Sequence, residues 1–139
     1  MNDNFHSHQF KGMTVSTVRH VSDDVDDVMV LRCAGRLVLG EDANALRERT
    51  KKLMLEGHRI VVNLSELEHI DSIGLATIVA LHSLGTSQIK LVCSSLHLTA
   101  LLRRTRLDTV IRFYETEEEA VAFVSGQAFP TGETAVAAR

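Results

Sequence analysis

Past residue 28 the chain alternates short apolar runs with helix-patterned segments, and this alternation constrains its fold more than any other feature. "VMVLRCAG" precedes "EDANALRERTKKLMLEG", "RIVVNL" precedes "IGLATIVALHSLG", "QIKLVC" precedes "SSLHLTALLRRT", and "DTVIRFY" precedes "TEEEAVAFV". Strands that read as nearly continuous apolar runs are covered on both faces, and helical connections make neighbouring strands parallel, with right-handed crossovers. Ahead of this series, "TVSTVRH" and "VMVLRCAG" flank the polar turn "SDDVDD" and form an antiparallel hairpin. The expected fold is α/β: a mixed β-sheet, mostly parallel with an N-terminal antiparallel hairpin, packed with about four α-helices.

Local signals mark the helix ends. Asp42 is placed to cap the first helix and Gly57 to end it, with Leu46, Leu53 and Met54 on one side. Gly85 closes the second helix. The third starts with a serine cap and carries Leu98, Leu101 and Leu102, while Thr116 and Glu119 form a capping box for the fourth. A chain of 139 residues is most economically one domain. Its expected bounds are residues 13–125, between a flexible N-terminal segment, 1–12, and a disordered tail, 126–139, that contains the only proline, Pro130.

Composition excludes several classes of partner. A formal charge of −3 gives no electrostatic case for nucleic acid. The start, "MNDNFHSHQFKG", lacks the apolar stretch of a signal peptide, and the longest greasy segment, Ile73 to Leu81, has about half the length a bilayer requires. The expected location is the cytoplasm, without membrane insertion. Cys33 and Cys93 lie far apart in apolar, strand-like surroundings and read as buried, reduced thiols.

In sheets of this kind the functional edge is the carboxyl end of the strands. The loops that contain Asp71 and Ser72, Gly35 to Asp42, and Cys93 to Ser95 all fall there. Enzymatic readings of that edge are weak. No phosphate-binding G-x-x-x-x-G-K-[ST] loop is present, and Ser72 has Ile70 where a nucleophile elbow needs glycine. A serine nucleophile also needs a base, and His69 is the sole local candidate. His6 and His8 lack further ligands for a metal. No catalytic group, metal or cofactor is expected. The cluster Arg103, Arg104 and Arg106 complements a helix C-terminus, and Glu117 to Glu119 complement an N-terminus.

The stretch "HIDSIGLATIVALHSLG" poses the sharper question. Ser72 or Asp71 caps a helix that is apolar nearly all round, so most of that helix is expected to be buried, with its first turn exposed beside the sheet edge. One alternative to a plain cap is a serine presented for another protein to modify.

"RIVVNLSELEHIDSIGLATIVAL" resembles the central signature of STAS domains, specifically the bacterial anti-sigma factor antagonists: an apolar strand, a [DN]-L-S-like turn, then D-S-x-G-L ahead of a helix. The similarity extends from about Val15 to Val124 and includes "LRCAGRL" and the later strand-helix-strand-helix half. The resemblance implies a partner that is both anti-sigma factor and serine kinase. The unmodified domain captures this kinase and frees a sigma factor. Phosphorylation of Ser72 releases it, and a phosphatase resets the switch. ATP is then used by the kinase, not by this chain. Asp71, Ser72, Ile73, Gly74, Arg36, Ser94 and Ser95 are the expected partner-binding residues, with Gly74 permitting close approach of a partner backbone. The alternatives are a non-phosphorylated scaffold subunit of a stress-sensing or lipid-transport complex and, remotely, a small serine-nucleophile enzyme.

Overall fold

The computed structural model describes residues 5–9, 13–22, 25–38, 41–85 and 88–124. Among them, six strands form one sheet in chain order: β1 (Phe5–Gln9), β2 (Met13–Ser22), β3 (Val25–Leu37), β4 (Arg59–Ile70), β5 (Ile89–Val92) and β6 (Phe113–Tyr114). β1, β2 and β3 pair antiparallel, and the pairs from β3 to β6 are parallel. The helices are α1 (Glu41–Leu55), α2 (Ser72–Leu84), α3 (Leu96–Arg104) and α4 (Glu117–Val124). The chain thus adopts the mixed α/β sheet expected from its alternation.

Both faces of the parallel half are covered. Leu31, Cys33, Ile60, Val62, Ile89 and Leu91 pack with Leu46 of α1, Ile78 and Leu81 of α2, and Leu98 and Leu102 of α3. Val28, Val30, Val61 and Val92 turn the other way, onto Ala120, Val121 and Val124 of α4. Each fully buried side chain of this size contributes roughly 1.5–3 kcal/mol. Cys33 and Cys93 are buried and free. Burial pushes the Cys33 thiol up to about 12 and raises that of Cys93, so neither is a ready thiolate.

Several elements depart from the sequence expectations. The segment 1–12, expected to be flexible, contributes β1, which pairs with β2 from Phe5↔Val18 to Gln9↔Thr14. An edge strand is held by backbone hydrogen bonds and needs no apolar pattern of its own. The tail, 126–139, lies outside the described residues. α1 begins at Glu41, which puts Asp42 within the first turn rather than at the cap. Gly57 does end that helix, its N–H donating to the Met54 carbonyl at 2.9 Å. "DTVIRFY" forms strand only at Phe113–Tyr114, because Leu107–Thr109 is a short 3-10 helix. There Thr109 Oγ1 donates to the Arg106 carbonyl at 2.7 Å, a local bond that competes with strand.

β4 differs most. "RIVVNL" is only its first half, and the strand continues through polar residues to Ile70. Between Arg32↔Asn63 and Leu37↔Ile70, β4 spends two more residues than β3, in two bulges. These keep Leu64 and Leu67 buried in the core although strict alternation is broken. Gly35, opposite Leu67, takes φ 103°, a left-handed conformation that glycine adopts without strain.

Candidate functional site

β5 stops pairing with β4 at Asn63↔Val92, whereas β3 stays paired as far as Leu37↔Ile70. The ends of β3 and β4 therefore project beyond β5 and carry Asp71 and Ser72 at their tip. Asp71 is extended, with φ −107° and ψ −172°, and its carboxylate accepts a hydrogen bond from the Gly74 N–H at 2.8 Å. Its carbonyl accepts from Leu75 N–H at 3.0 Å. Asp71 is thus the cap, and Ser72 is the first helical residue. The Ser72 side chain is exposed and makes no hydrogen bond among the described residues. The two roles that compete in the sequence fall on separate residues.

Gly74 is buried. A Cβ built there would collide with the Leu37 carbonyl oxygen and crowd Ile70 Cγ1. The close approach expected for a partner backbone is made instead to this chain's own backbone, and it seats the first turn of α2 on the end of β3.

α2 is not buried all round. Gly74, Thr77, Ile78 and Leu81 face the core. Ile73 is 41% exposed, Val79 is 37% exposed and Ala76 is also exposed. The apolar side left open runs directly from Ser72. It stays open because no element lies over it among the described residues, while the opposite side takes the core contacts.

The other expected site residues divide. Arg36 is exposed and pairs in register with His69, at the same projecting end as Asp71, Ser72 and Ile73. Ser94 lies further back, where its N–H donates to Ser65 Oγ at 2.9 Å and the two hydroxyls are 3.1 Å apart. Ser95 caps α3, its hydroxyl accepting from Leu98 N–H at 3.2 Å. Both serines therefore have structural partners, Ser94 in Ser65 and Ser95 in the first turn of α3. His69 is exposed and has no hydrogen bond to Ser72. Among the described residues no three His, Cys, Asp or Glu side chains cluster to hold a metal, and no helix is long and apolar enough to cross a membrane.

A polar network at this edge escaped the sequence reading. Arg32 of β3 makes a two-pronged ion pair with Glu117 of α4, both contacts 2.8 Å, and Asn63 Nδ2 donates to the same carboxylate at 2.7 Å. The Glu117 bonds hold the Arg32 guanidinium above its ordinary pKa. Asn63 Oδ1 also accepts from Ser65 N–H at 2.9 Å, which shapes the first bulge of β4. The one available signal was a lone amide in an otherwise apolar strand. Glu117 thus ties α4 to both strands as well as serving a helix N-terminus. Glu117→Ala is expected to lower stability by about 1–2 kcal/mol, a figure kept small because Arg32 is half exposed. Urea unfolding measures it; a change within about 0.3 kcal/mol would show the network to be incidental.

Comparison with known proteins follows the same lines. The STAS domain family profile matches residues 20–120. An anti-sigma factor antagonist from Mycobacterium paratuberculosis has a similar fold, with TM-score 0.61 and 23% identity over 79% of this chain and 93% of that one. The protein TM1081 is similar at TM-score 0.61 and 27% identity, over 86% of this chain and 92% of that one. A sulfate transporter family protein from Wolinella succinogenes shares the fold at TM-score 0.53 and 14% identity, over 72% of this chain and 86% of that one. No curated protein sequence matches significantly.

Proposed function

On the premise that this chain belongs to the STAS domain family, we propose that it is an anti-sigma factor antagonist that captures an anti-sigma factor serine kinase and lets go when Ser72 is phosphorylated. The observation that carries this reading is the division of labour at the α2 N-terminus. Asp71 does the capping, so the exposed Ser72 hydroxyl is left without a structural task. A kinase substrate needs an accessible hydroxyl on a rigid support, and the paired ends of β3 and β4 supply that support. Arg36 and the exposed Ile73 adjoin it and give the partner one charged and one apolar contact.

A phosphate at this point is compatible with the fold. It would sit at a helix N-terminus, where backbone N–H groups and the macrodipole favour an anion. The added charge of about −1.5 to −2 acts on the partner, through repulsion and desolvation. Asp71 adds its own charge beside it. A phosphatase acting on the modified serine returns the chain to its binding state. In this reading the chain is a binding protein and the kinase supplies the chemistry.

Incubation with the cognate kinase and ATP is expected to place a single phosphate on Ser72. Ser65 and Ser94 bond to each other, and Ser95 caps α3, so none of these is expected to be modified. Peptide mass spectrometry that finds the phosphate elsewhere, or none with a verified kinase, removes the switch from Ser72.

A further inference from the structure

A groove of about 970 Å3 lies at the β6 edge of the sheet, between α3 and the segment leading into β6. Its floor is apolar, since Leu102 and Ile111 line it and are buried among the core side chains. Its rim carries two large apolar side chains that are nearly bare, Leu96 at 87% and Val110 at 68% exposed. Bare apolar side chains gathered at one surface mark an interface, whereas scattered single ones do not.

The charged lining is balanced. Arg103 and Arg112 bring two cations, Asp108 and Glu115 two carboxylates. Arg112 also stacks over Tyr114 and Phe123, its guanidinium 5.0 and 5.7 Å from the ring centres. The side chains of Arg103, Asp108 and Glu115 make no hydrogen bond or ion pair among the described residues. Such a balance selects neither an acidic nor a basic segment, and nucleic acid or an anionic membrane calls for an excess of positive charge. It is what a surface needs to be its own complement. Across a two-fold axis, one residue of a surface meets a different residue of the same surface, and each contact occurs twice. A cation and an anion on one copy then face an anion and a cation on the other. Shape obeys the same rule, because each copy offers both projecting rim side chains and a hollow apolar floor.

We propose that this groove is the contact between two copies of the chain related by a two-fold axis. Leu96 and Val110 of each copy lie over Leu102 and Ile111 of the other, and Arg103 of each faces Asp108 of the other. Apolar anchors ringed by charges, arginine among them, are the usual make-up of a protein interface. None of Asp71, Ser72, Ile73 and Gly74 lines the groove, so the contact does not require the proposed phosphorylation switch.

The test is sedimentation of the full chain over about 1 μM to 1 mM, with amide resonances followed over the same range. A reversible monomer-dimer equilibrium is expected, with concentration-dependent shifts centred on α3 and residues 107–113. Leu96→Ser should weaken the dimer about tenfold or more. It should leave the melting temperature of the dilute monomer unchanged, because that side chain buries little within one copy. Arg103→Glu and Asp108→Arg, each alone, should also weaken self-association about tenfold, by setting like charges against each other. An equimolar mixture of these two variants should associate as tightly as the parent, since both reversed pairs are then matched across the axis. A chain that stays monomeric throughout leaves the groove to some other occupant and overturns the proposal. A dimer that is indifferent to Leu96→Ser, shifts centred on α2 or β1, or a mixture no tighter than its components would each do the same.

Discussion

Ser72→Asp is expected to weaken binding to the cognate kinase by roughly a hundredfold or more while the domain stays folded. The new carboxylate stands at the N-terminus of α2, where the dipole makes a difference of only about 0.3–1 kcal/mol, so the melting temperature should move by no more than about 4 °C. In the complex the same charge meets a surface shaped for a neutral hydroxyl, and an unpaired buried charge costs several kcal/mol. Ser72→Ala should bind like the parent, escape release, and change stability by less than about 0.5 kcal/mol, because the hydroxyl bonds nothing among the described residues. Asp71→Ala separates the two roles. It removes the bond to Gly74 N–H and should lower stability by about 0.5–2 kcal/mol. Calorimetric titration with the kinase and thermal melting distinguish the three variants. Binding of Ser72→Asp at parental affinity would end the electrostatic account, and its failure to fold would make Ser72 structural.

Gly74→Ala is expected to destabilise the domain by about 2 kcal/mol, although alanine is the better helix former by about 1 kcal/mol. The added methyl meets the Leu37 carbonyl, a backbone atom that cannot rotate aside, so the first turn of α2 must lift from β3. That shift would also displace Ser72 and Ile73, and kinase binding should fall with stability. Gly85→Ala, at the C-cap of the same helix, is the control. Its methyl would press only lightly on Met54 Sδ, at 3.2 Å on a flexible side chain, with Gln88 at ordinary contact distance, and its backbone is extended, with φ −177°. Urea unfolding of the two variants should separate them by more than about 1 kcal/mol. Equal stabilities would mean that α2 is not seated through Gly74.

These two glycines show where local pattern stops being informative. Nothing within "DSIGLA" distinguishes a glycine left free for a partner from one pressed against a neighbouring strand, since the neighbour, Leu37, is far away along the chain. β4 shows the same limit. Its first half is legible because Ile60, Val61 and Val62 are apolar on both faces. Its second half, "SELEHI", reads as loop because two bulges break the alternation, and only the pairing to β3 keeps it a strand. The role of α2 was half legible. Its apolar character and the exposed first turn at Ile73 are legible in the sequence, but which side faces the core depends on where α1 and the sheet lie, so the continuation of the open side to Val79 was not. Ser94 and Ser95 share a sheet edge with Ser72 by topology. How far each strand projects decided that Ser94 meets Ser65 instead.

By itself, then, the sequence determined the order of elements from β2 to α4, the mixed sheet, a cap at Asp71 or Ser72, a serine cap on α3 and the capping box at Thr116. These rest on periodicity, on helix-end chemistry and on the covering of both strand faces, which are set within a few residues or by the order of segments. Tertiary structure alone decided the pairing of β1, the length of β4, the packing of Gly74 on Leu37 and the tie from Arg32 and Asn63 to Glu117. Each of these depends on register between segments distant in the chain, where a one-residue slip changes every contact while leaving the local pattern the same.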